Sequence, residues 1–138
     1  MHSGRNSPHQ SIVAIENRSI AVIDDDPAVR CAVGRLLEAM DFRVSAFGSA
    51  EEFLDFSWPG RFDCILLDIH LTGISGFDLH ARLTAAGSRI PVIFISNNAD
   101  SARAASLASV GVEALCKPVD AEVLLGAIAR SVPRGNGS

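Results

Sequence analysis

The chain has 138 residues, of which 48% are hydrophobic and 20% are charged, and its formal net charge is −4. This balance fits a single globular domain with its own core, and the mild negative charge argues against a nucleic-acid-binding surface. No apolar run approaches the roughly 18 residues of a membrane span, and the opening segment lacks the apolar core of a signal peptide. We therefore expect a cytoplasmic protein without membrane contact.

Five apolar runs, each followed by a helical pattern, divide the chain between residues 19 and 132. In chain order, the runs that predict strands cover residues 20–23, 42–47, 62–68, 91–95 and 112–116. The helices after them are predicted to begin at Asp26, at Ser49, near residue 75, near residue 100 and at Asp120. Residues 1–18 and 133–138 are predicted to be flexible arms around one domain, 19–132.

The predicted strands are too uniformly apolar to face water, which indicates a parallel sheet covered by helices on both faces. Right-handed crossovers and short loops favour a doubly wound α/β fold of the flavodoxin-like (βα)5 type. The expected strand order of this five-stranded sheet is 2-1-3-4-5. Three cysteines, Cys31, Cys64 and Cys116, show no metal-ligand spacing, and we expect them to be small reduced residues of the core.

Polar residues follow the predicted strands at their carboxyl ends, where an open parallel sheet binds its ligands. They are Asp24, Asp25 and Asp26 after the first strand, Asp68 in the third, Ser96 after the fourth and Lys117 after the fifth. Two carboxylates about 4 Å apart repel by roughly 4 kcal/mol at an effective dielectric near 20, and a divalent cation such as Mg²⁺ would relieve this repulsion. The pattern predicts a site for a hard metal and a phosphoryl group.

Asp68 is the candidate acceptor of that phosphoryl group. An aspartate can attack phosphorus and form an acyl phosphate, while cations balance the charge on the three phosphoryl oxygens. Mg²⁺, Lys117 and Ser96 could each hold one of these oxygens. The alternative is that Asp68 forms only a structural salt bridge with Lys117.

The chain resembles the receiver domain of two-component response regulators over roughly residues 19–132. Four stretches carry the resemblance: AVIDDDPAVR, CILLDIHLTGISGFDL, IPVIFIS and ALCKPVD. By position, the resemblance implies roles for the acidic pair Asp24 and Asp25, the phosphorylated Asp68, the metal-binding backbone carbonyl of His70, the switch hydroxyl of Ser96 and Lys117. It further implies that Asp25 is the more direct metal ligand, that Asp26 caps a helix and that the Lys117–Pro118 bond is cis.

The resemblance also implies partners and a cofactor. Mg²⁺, with Mn²⁺ as a substitute, would support phosphoryl transfer from a sensor histidine kinase or a phosphotransfer protein to Asp68. A downstream output domain or protein would read the result, and a second copy of the chain is another candidate partner. The chain would not be a conventional enzyme, although it would catalyse its own phosphorylation and dephosphorylation.

Three residues depart from the family pattern. Ala114 stands where an aromatic residue is common, Thr72 stands where a proline is common, and Asn97 stands where a small residue is usual. The departure at Ala114 predicts that phosphorylation moves the signalling surface less than it does in the family.

Two other functions remain open at this point. One is a binding module that works without phosphorylation. The other is a phosphatase of the haloacid-dehalogenase type with Asp24 as its nucleophile, against which the chain shows Ala28 where Thr or Val is expected and no later acidic pair.

Overall fold

A computed structural model of the chain describes residues 18–56, 62–96, 106 and 112–132. Its five strands are β1 (Ser19–Ile23), β2 (Arg43–Phe47), β3 (Cys64–Asp68), β4 (Val92–Ser96) and β5 (Glu113–Cys116). They form one parallel sheet in the order β2-β1-β3-β4-β5. The predicted fold class and strand order are therefore confirmed.

The helices with bounds inside the described residues are α1 (Pro27–Ala39), α2 (Ala50–Asp55), α3 (Gly76–Ala85) and α4 (Ala121–Ser131). The longest, α1, has 13 residues. Among the described residues, no helix combines the length and the apolar character that a membrane crossing requires.

Strand alternation divides the core into two layers, one on each face of the sheet. In β1, Ile20 and Val22 pack against α1 and α4, whereas Ala21 and Ile23 pack against α2 and α3. Every residue of β3 and β4 is buried. Because successive side chains point to opposite faces, a central strand covered on both sides reads as a continuous apolar run.

The predicted helix starts at Asp26, Ser49 and Asp120 are confirmed. The Asp26 carboxylate accepts a hydrogen bond from the Ala28 amide at 2.9 Å, and the Ser49 hydroxyl accepts one from the Glu52 amide at 3.0 Å. Asp120 accepts hydrogen bonds from the amides of Glu122 and Val123 in the first turn of α4. Each side chain satisfies amides that have no partner within the helix, which stabilises a helix by about 1 kcal/mol.

The prediction of three core cysteines is wrong for two of them. Cys64 is fully buried in β3, and this burial raises the pKa of its thiol to about 12. Cys31 on α1 and Cys116 on β5 are exposed. Cys31 sits on the solvent side of an amphipathic helix, and Cys116 ends an edge strand of the sheet, so neither fills the core.

Some predictions lie outside the described residues. They concern most of the N-terminal arm, the tail 133–138, Asn97 and the helix expected near residues 100–110. Within that last range the structure describes residue 106, which is helical.

Candidate functional site

Three carboxylates meet at the carboxyl edge of the sheet, where β1 and β3 end side by side. One oxygen from each of Asp24, Asp25 and Asp68 lies within 4.8 Å of the others. Asp24 is 2% exposed and Asp68 is 4% exposed, whereas Asp25 faces solvent. Such crowding of like charges in a largely buried place is unfavourable unless a cation compensates it.

Asp24 is held at several points. Its backbone amide donates to the Phe47 carbonyl at 3.1 Å, and its own carbonyl accepts from the Arg30 guanidinium at 2.7 Å. Its Oδ1 atom accepts a hydrogen bond from the Asp26 amide at 2.9 Å. The other oxygen, Oδ2, is buried and accepts no well-aligned hydrogen bond among the described residues. These contacts fix Asp24, and its Oδ2 atom faces the Lys117 ammonium.

Lys117 bridges the two buried carboxylates. Its Nζ atom lies 3.1 Å from Asp24 Oδ2 and 3.5 Å from Asp68 Oδ2, and the Lys117–Pro118 bond is cis. Burial lowers the pKa of Lys117, but the two carboxylates outweigh burial and raise it overall, so the ammonium stays charged. Three ionised carboxylates and one ammonium leave a formal charge of −2, which one divalent cation would neutralise.

Asp68 is difficult to ionise in this setting. Burial and the charge of Asp24 raise the pKa of Asp68 to about 6, although the His70 amide and Lys117 act in the opposite direction. The His70 amide donates to Asp68 Oδ1 at 3.0 Å. A cation beside this carboxylate would favour its ionised form, which is the nucleophilic one.

No hydrogen bond joins the Ser96 hydroxyl to Asp68. Ser96 is 1% exposed, and its hydroxyl has no hydrogen-bond partner among the described residues. It follows Phe94 by two positions in β4, so it belongs to the face of the sheet that carries α2 and α3. A buried hydroxyl without a partner is costly, and it is available to a new acceptor.

Sequence reasoning missed two groups that hold this site. Thr72 was noted only as a departure from proline, yet its hydroxyl donates to Asp25 Oδ2 at 3.0 Å. Glu51, at the start of α2, accepts a hydrogen bond from the Ile74 amide at 3.1 Å and so fixes the same loop. Both contacts join segments distant in sequence, and the only local signal was a hydroxyl residue close after Asp68.

Comparison with known proteins identifies the family of this chain. The family model for the response regulator receiver domain matches residues 20–129. Response regulator protein TmoT of Ectopseudomonas mendocina is 36% identical over 110 residues, which are 79% of this chain and 50% of TmoT. Transcriptional regulatory protein FixJ of Azorhizobium caulinodans is 35% identical over 120 residues, which are 86% of this chain and 57% of FixJ.

A solved structure of response regulator StyR superimposes with a TM-score of 0.74 at 34% identity, covering 83% of this chain and 58% of that one. The chain thus spans about half the length of the curated relatives that it matches. The fold, the acidic edge of the sheet and the family match agree with one another. The chain belongs to the response regulator receiver domain family of two-component systems.

Proposed function

We propose that this receiver domain accepts a phosphoryl group on Asp68 in a reaction that depends on Mg²⁺. The observation that carries the proposal is the cluster of three carboxylates within 4.8 Å, two of which share the Lys117 ammonium. If Lys117 formed only a structural salt bridge, one carboxylate would be enough to pair with it. The two further carboxylates are better explained by a site that binds a dication and a phosphoryl group.

Asp24, Asp25 and Asp68, together with the backbone carbonyl of His70, would hold the cation. The formal charge of −2 that remains after pairing with Lys117 supports this assignment, because negative charge in a largely buried site is unfavourable without a further cation. Mg²⁺ suits sites with one or two carboxylates and phosphate oxygens, and Mn²⁺ has similar ligand preferences. When bound, the cation supplies positive charge to the phosphoryl oxygens.

The donor in this proposal is a phosphohistidine of a sensor kinase or of a phosphotransfer protein. One Asp68 oxygen forms the new P–O bond while the N–P bond of the donor breaks. The electron pair of that bond stays on the imidazole nitrogen, and the ring, protonated at its other nitrogen, leaves as neutral imidazole. Lys117, whose Nζ atom lies 3.5 Å from Asp68 Oδ2, would pair with the phosphoryl oxygens as their charge develops.

The phosphorylated state would then act as a signal. A phosphoryl group adds close to two negative charges and three acceptor oxygens, and the unpaired Ser96 hydroxyl is a donor that such an oxygen could recruit. Movement of Ser96 would shift a pre-existing equilibrium of the sheet edge that a partner reads. That partner would be an output domain, a separate protein or a second copy of this chain.

An apolar groove beside Lys117 supports docking of the phosphoryl donor. The groove has a volume of about 470 Å³ and is lined by α1 and by the segment after β5. Its apolar residues include Val29, Leu36 and Val119. A helix of a kinase or phosphotransfer protein that packs here would place its histidine close to the carboxylate cluster.

Acetyl phosphate, a donor that needs no partner protein, provides the test. Wild type, Asp68→Asn and Asp24→Asn are incubated with it, with and without Mg²⁺, and intact mass is measured. We expect one added phosphoryl group on the wild type with Mg²⁺, none on Asp68→Asn and slower labelling of Asp24→Asn. Labelling that persists in Asp68→Asn but stops in Asp24→Asn would support the phosphatase alternative. No labelling and no Mg²⁺ binding would support the phosphorylation-independent module.

A further inference from the structure

The loop between β3 and α3 reaches across to the exposed member of the carboxylate cluster. The Thr72 hydroxyl donates to Asp25 Oδ2 at 3.0 Å, and the two residues are 47 positions apart in the chain. Among the described residues, this hydroxyl is the one hydrogen-bond donor to the Asp25 carboxylate. Asp24 and Asp68, in contrast, each have an amide donor and the Lys117 ammonium.

The loop that carries Thr72 is itself fixed. The Ile74 amide donates to Glu51 Oε2 at 3.1 Å. Gly73, which lies between Thr72 and Ile74, has a φ of +84°. A Cβ atom added at Gly73 would lie 2.6 Å from the same Glu51 oxygen. The backbone at Gly73 therefore lies close to the Glu51 side chain, and its positive φ favours glycine. This close passage fixes the position from which the Thr72 hydroxyl reaches Asp25.

We propose that Thr72 is a positioning residue that orients the Asp25 carboxylate for the divalent cation. This inference rests on the proposed Mg²⁺ site. Asp25 is exposed, so without a fixed donor its carboxylate would rotate among several orientations, and binding a cation would have to select one. A hydrogen bond from a neighbouring group to a ligating carboxylate commonly improves metal affinity for this reason.

The same hydrogen bond also draws electron density from the carboxylate, which would weaken its attraction for a cation. This opposing effect is small here because Thr72 and Asp25 are both exposed. When the hydroxyl is removed, a water molecule can donate to the carboxylate in its place. The electrostatic effect is therefore largely restored by water, whereas the orientation is lost.

The test measures Mg²⁺ affinity by calorimetry for the wild type, Thr72→Val, Thr72→Ser and Asp25→Asn. Valine has nearly the same shape without the hydroxyl, and serine keeps the hydroxyl without the methyl group. We expect Thr72→Val to bind Mg²⁺ about 5- to 10-fold more weakly. The loss should be at the low end of the usual range for a residue that hydrogen-bonds to a metal ligand, because this site is exposed. Thr72→Ser should remain within about twofold of the wild type.

A second readout separates orientation from a general effect on the fold. The rate of labelling by acetyl phosphate is followed while Mg²⁺ is titrated. Thr72→Val should need more Mg²⁺ for half-maximal labelling but reach the wild-type rate at saturating Mg²⁺. Its melting temperature without Mg²⁺ should match that of Thr72→Ser. Thr72→Ala serves as a second variant without the hydroxyl if valine disturbs the loop.

Wild-type affinity in both Thr72→Val and Thr72→Ala would overturn the role of Thr72, and so would tighter binding. If Asp25→Asn still weakens binding in that case, the proposed Mg²⁺ site stands and only the positioning role fails. If the wild type itself shows no Mg²⁺ binding, the proposed function fails as well. Equal losses in Thr72→Val and Thr72→Ser would also count against the hydroxyl.

Discussion

Asp68 is buried next to the Asp24 carboxylate and the Lys117 ammonium. Its protonation therefore affects the free energy of unfolding. Its pKa is raised from 3.8 to about 6 by burial and by the Asp24 charge. A carboxyl with a higher pKa in the folded state binds protons more tightly there than in the unfolded chain. Raising the pH from about 4 through 6 therefore removes stability, and the loss is complete above pH 7. Without a cation, an ionised Asp68 is a source of instability.

Replacement of Asp68 by Asn should remove this source. We expect Asp68→Asn to raise the free energy of unfolding without Mg²⁺ by about 1 to 3 kcal/mol at pH 7.5, the upper value being the full effect of the pKa difference. At pH 3 or below, where Asp68 is mostly protonated in both states, the difference should nearly vanish. Urea unfolding at several pH values measures this. A variant less stable than the wild type at pH 7.5 would show that the crowding of carboxylates is not unfavourable.

At the scale of elements, the groove along α1 provides a test of donor docking. Ala32 is exposed and lines this groove, so Ala32→Glu places a charge there without entering the core. We expect transfer from a histidine kinase that phosphorylates the wild type to slow by about tenfold, because docking would bury the new charge. Labelling by acetyl phosphate should stay within about twofold of the wild type, since no docking surface is needed.

The matched control is the same substitution at Ala39, which is exposed on α1 but does not line the groove. Ala39→Glu should leave both reactions unchanged. Equal rates of kinase transfer for Ala32→Glu and Ala39→Glu would rule out docking at this groove.

The start of α3 has no room for a side chain. A Cβ atom at Gly76 would overlap the carbonyl oxygen of Asp68 and lie 3.0 Å from the Ile69 Cα atom. Both neighbours are backbone that cannot move aside cheaply, so Gly76→Ala should lower the free energy of unfolding by about 3 kcal/mol or more. Gly34→Ala is the control, because its nearest contact would be the Val44 Cγ1 atom at an ordinary 3.8 Å. Similar stabilities of the two variants in urea would contradict this packing.

Sequence reasoning could predict the elements because local rules set them. Buried parallel strands are uniformly apolar, so β3 could be predicted from its sequence. Capping residues mark helix starts, so the caps at Asp26 and Ser49 could be predicted as well. The sheet order then predicted which strand ends meet. Cys31 was misjudged from its residue type alone, although the helical period places it on the side of α1 opposite the buried Val33. The hydrogen bond from Thr72 to Asp25 was out of reach, because it depends on the path of a loop.

At the scale of the whole molecule, cation binding and folding should be linked. A ligand that binds only the folded state stabilises it by about 1.4 kcal/mol at a concentration tenfold above its Kd. We expect Mg²⁺ to raise the Tm of the wild type and a chelator to reverse the change. Asp25→Asn and Asp68→Asn should respond less, and NaCl at equal ionic strength should not reproduce the effect. Equal shifts with NaCl would assign the stabilisation to screening alone.

The position of the acyl phosphate is the most direct measurement on this molecule. The wild-type chain is labelled with acetyl phosphate and Mg²⁺ and then reduced with borohydride, which converts a phosphorylated aspartate to homoserine. Peptide mass mapping then locates the converted residue. We expect conversion at Asp68 and none at Asp24, Asp25 or Asp26. Conversion at Asp24, or no conversion although the chain binds Mg²⁺, would contradict the assignment of Asp68 as the phosphoryl acceptor.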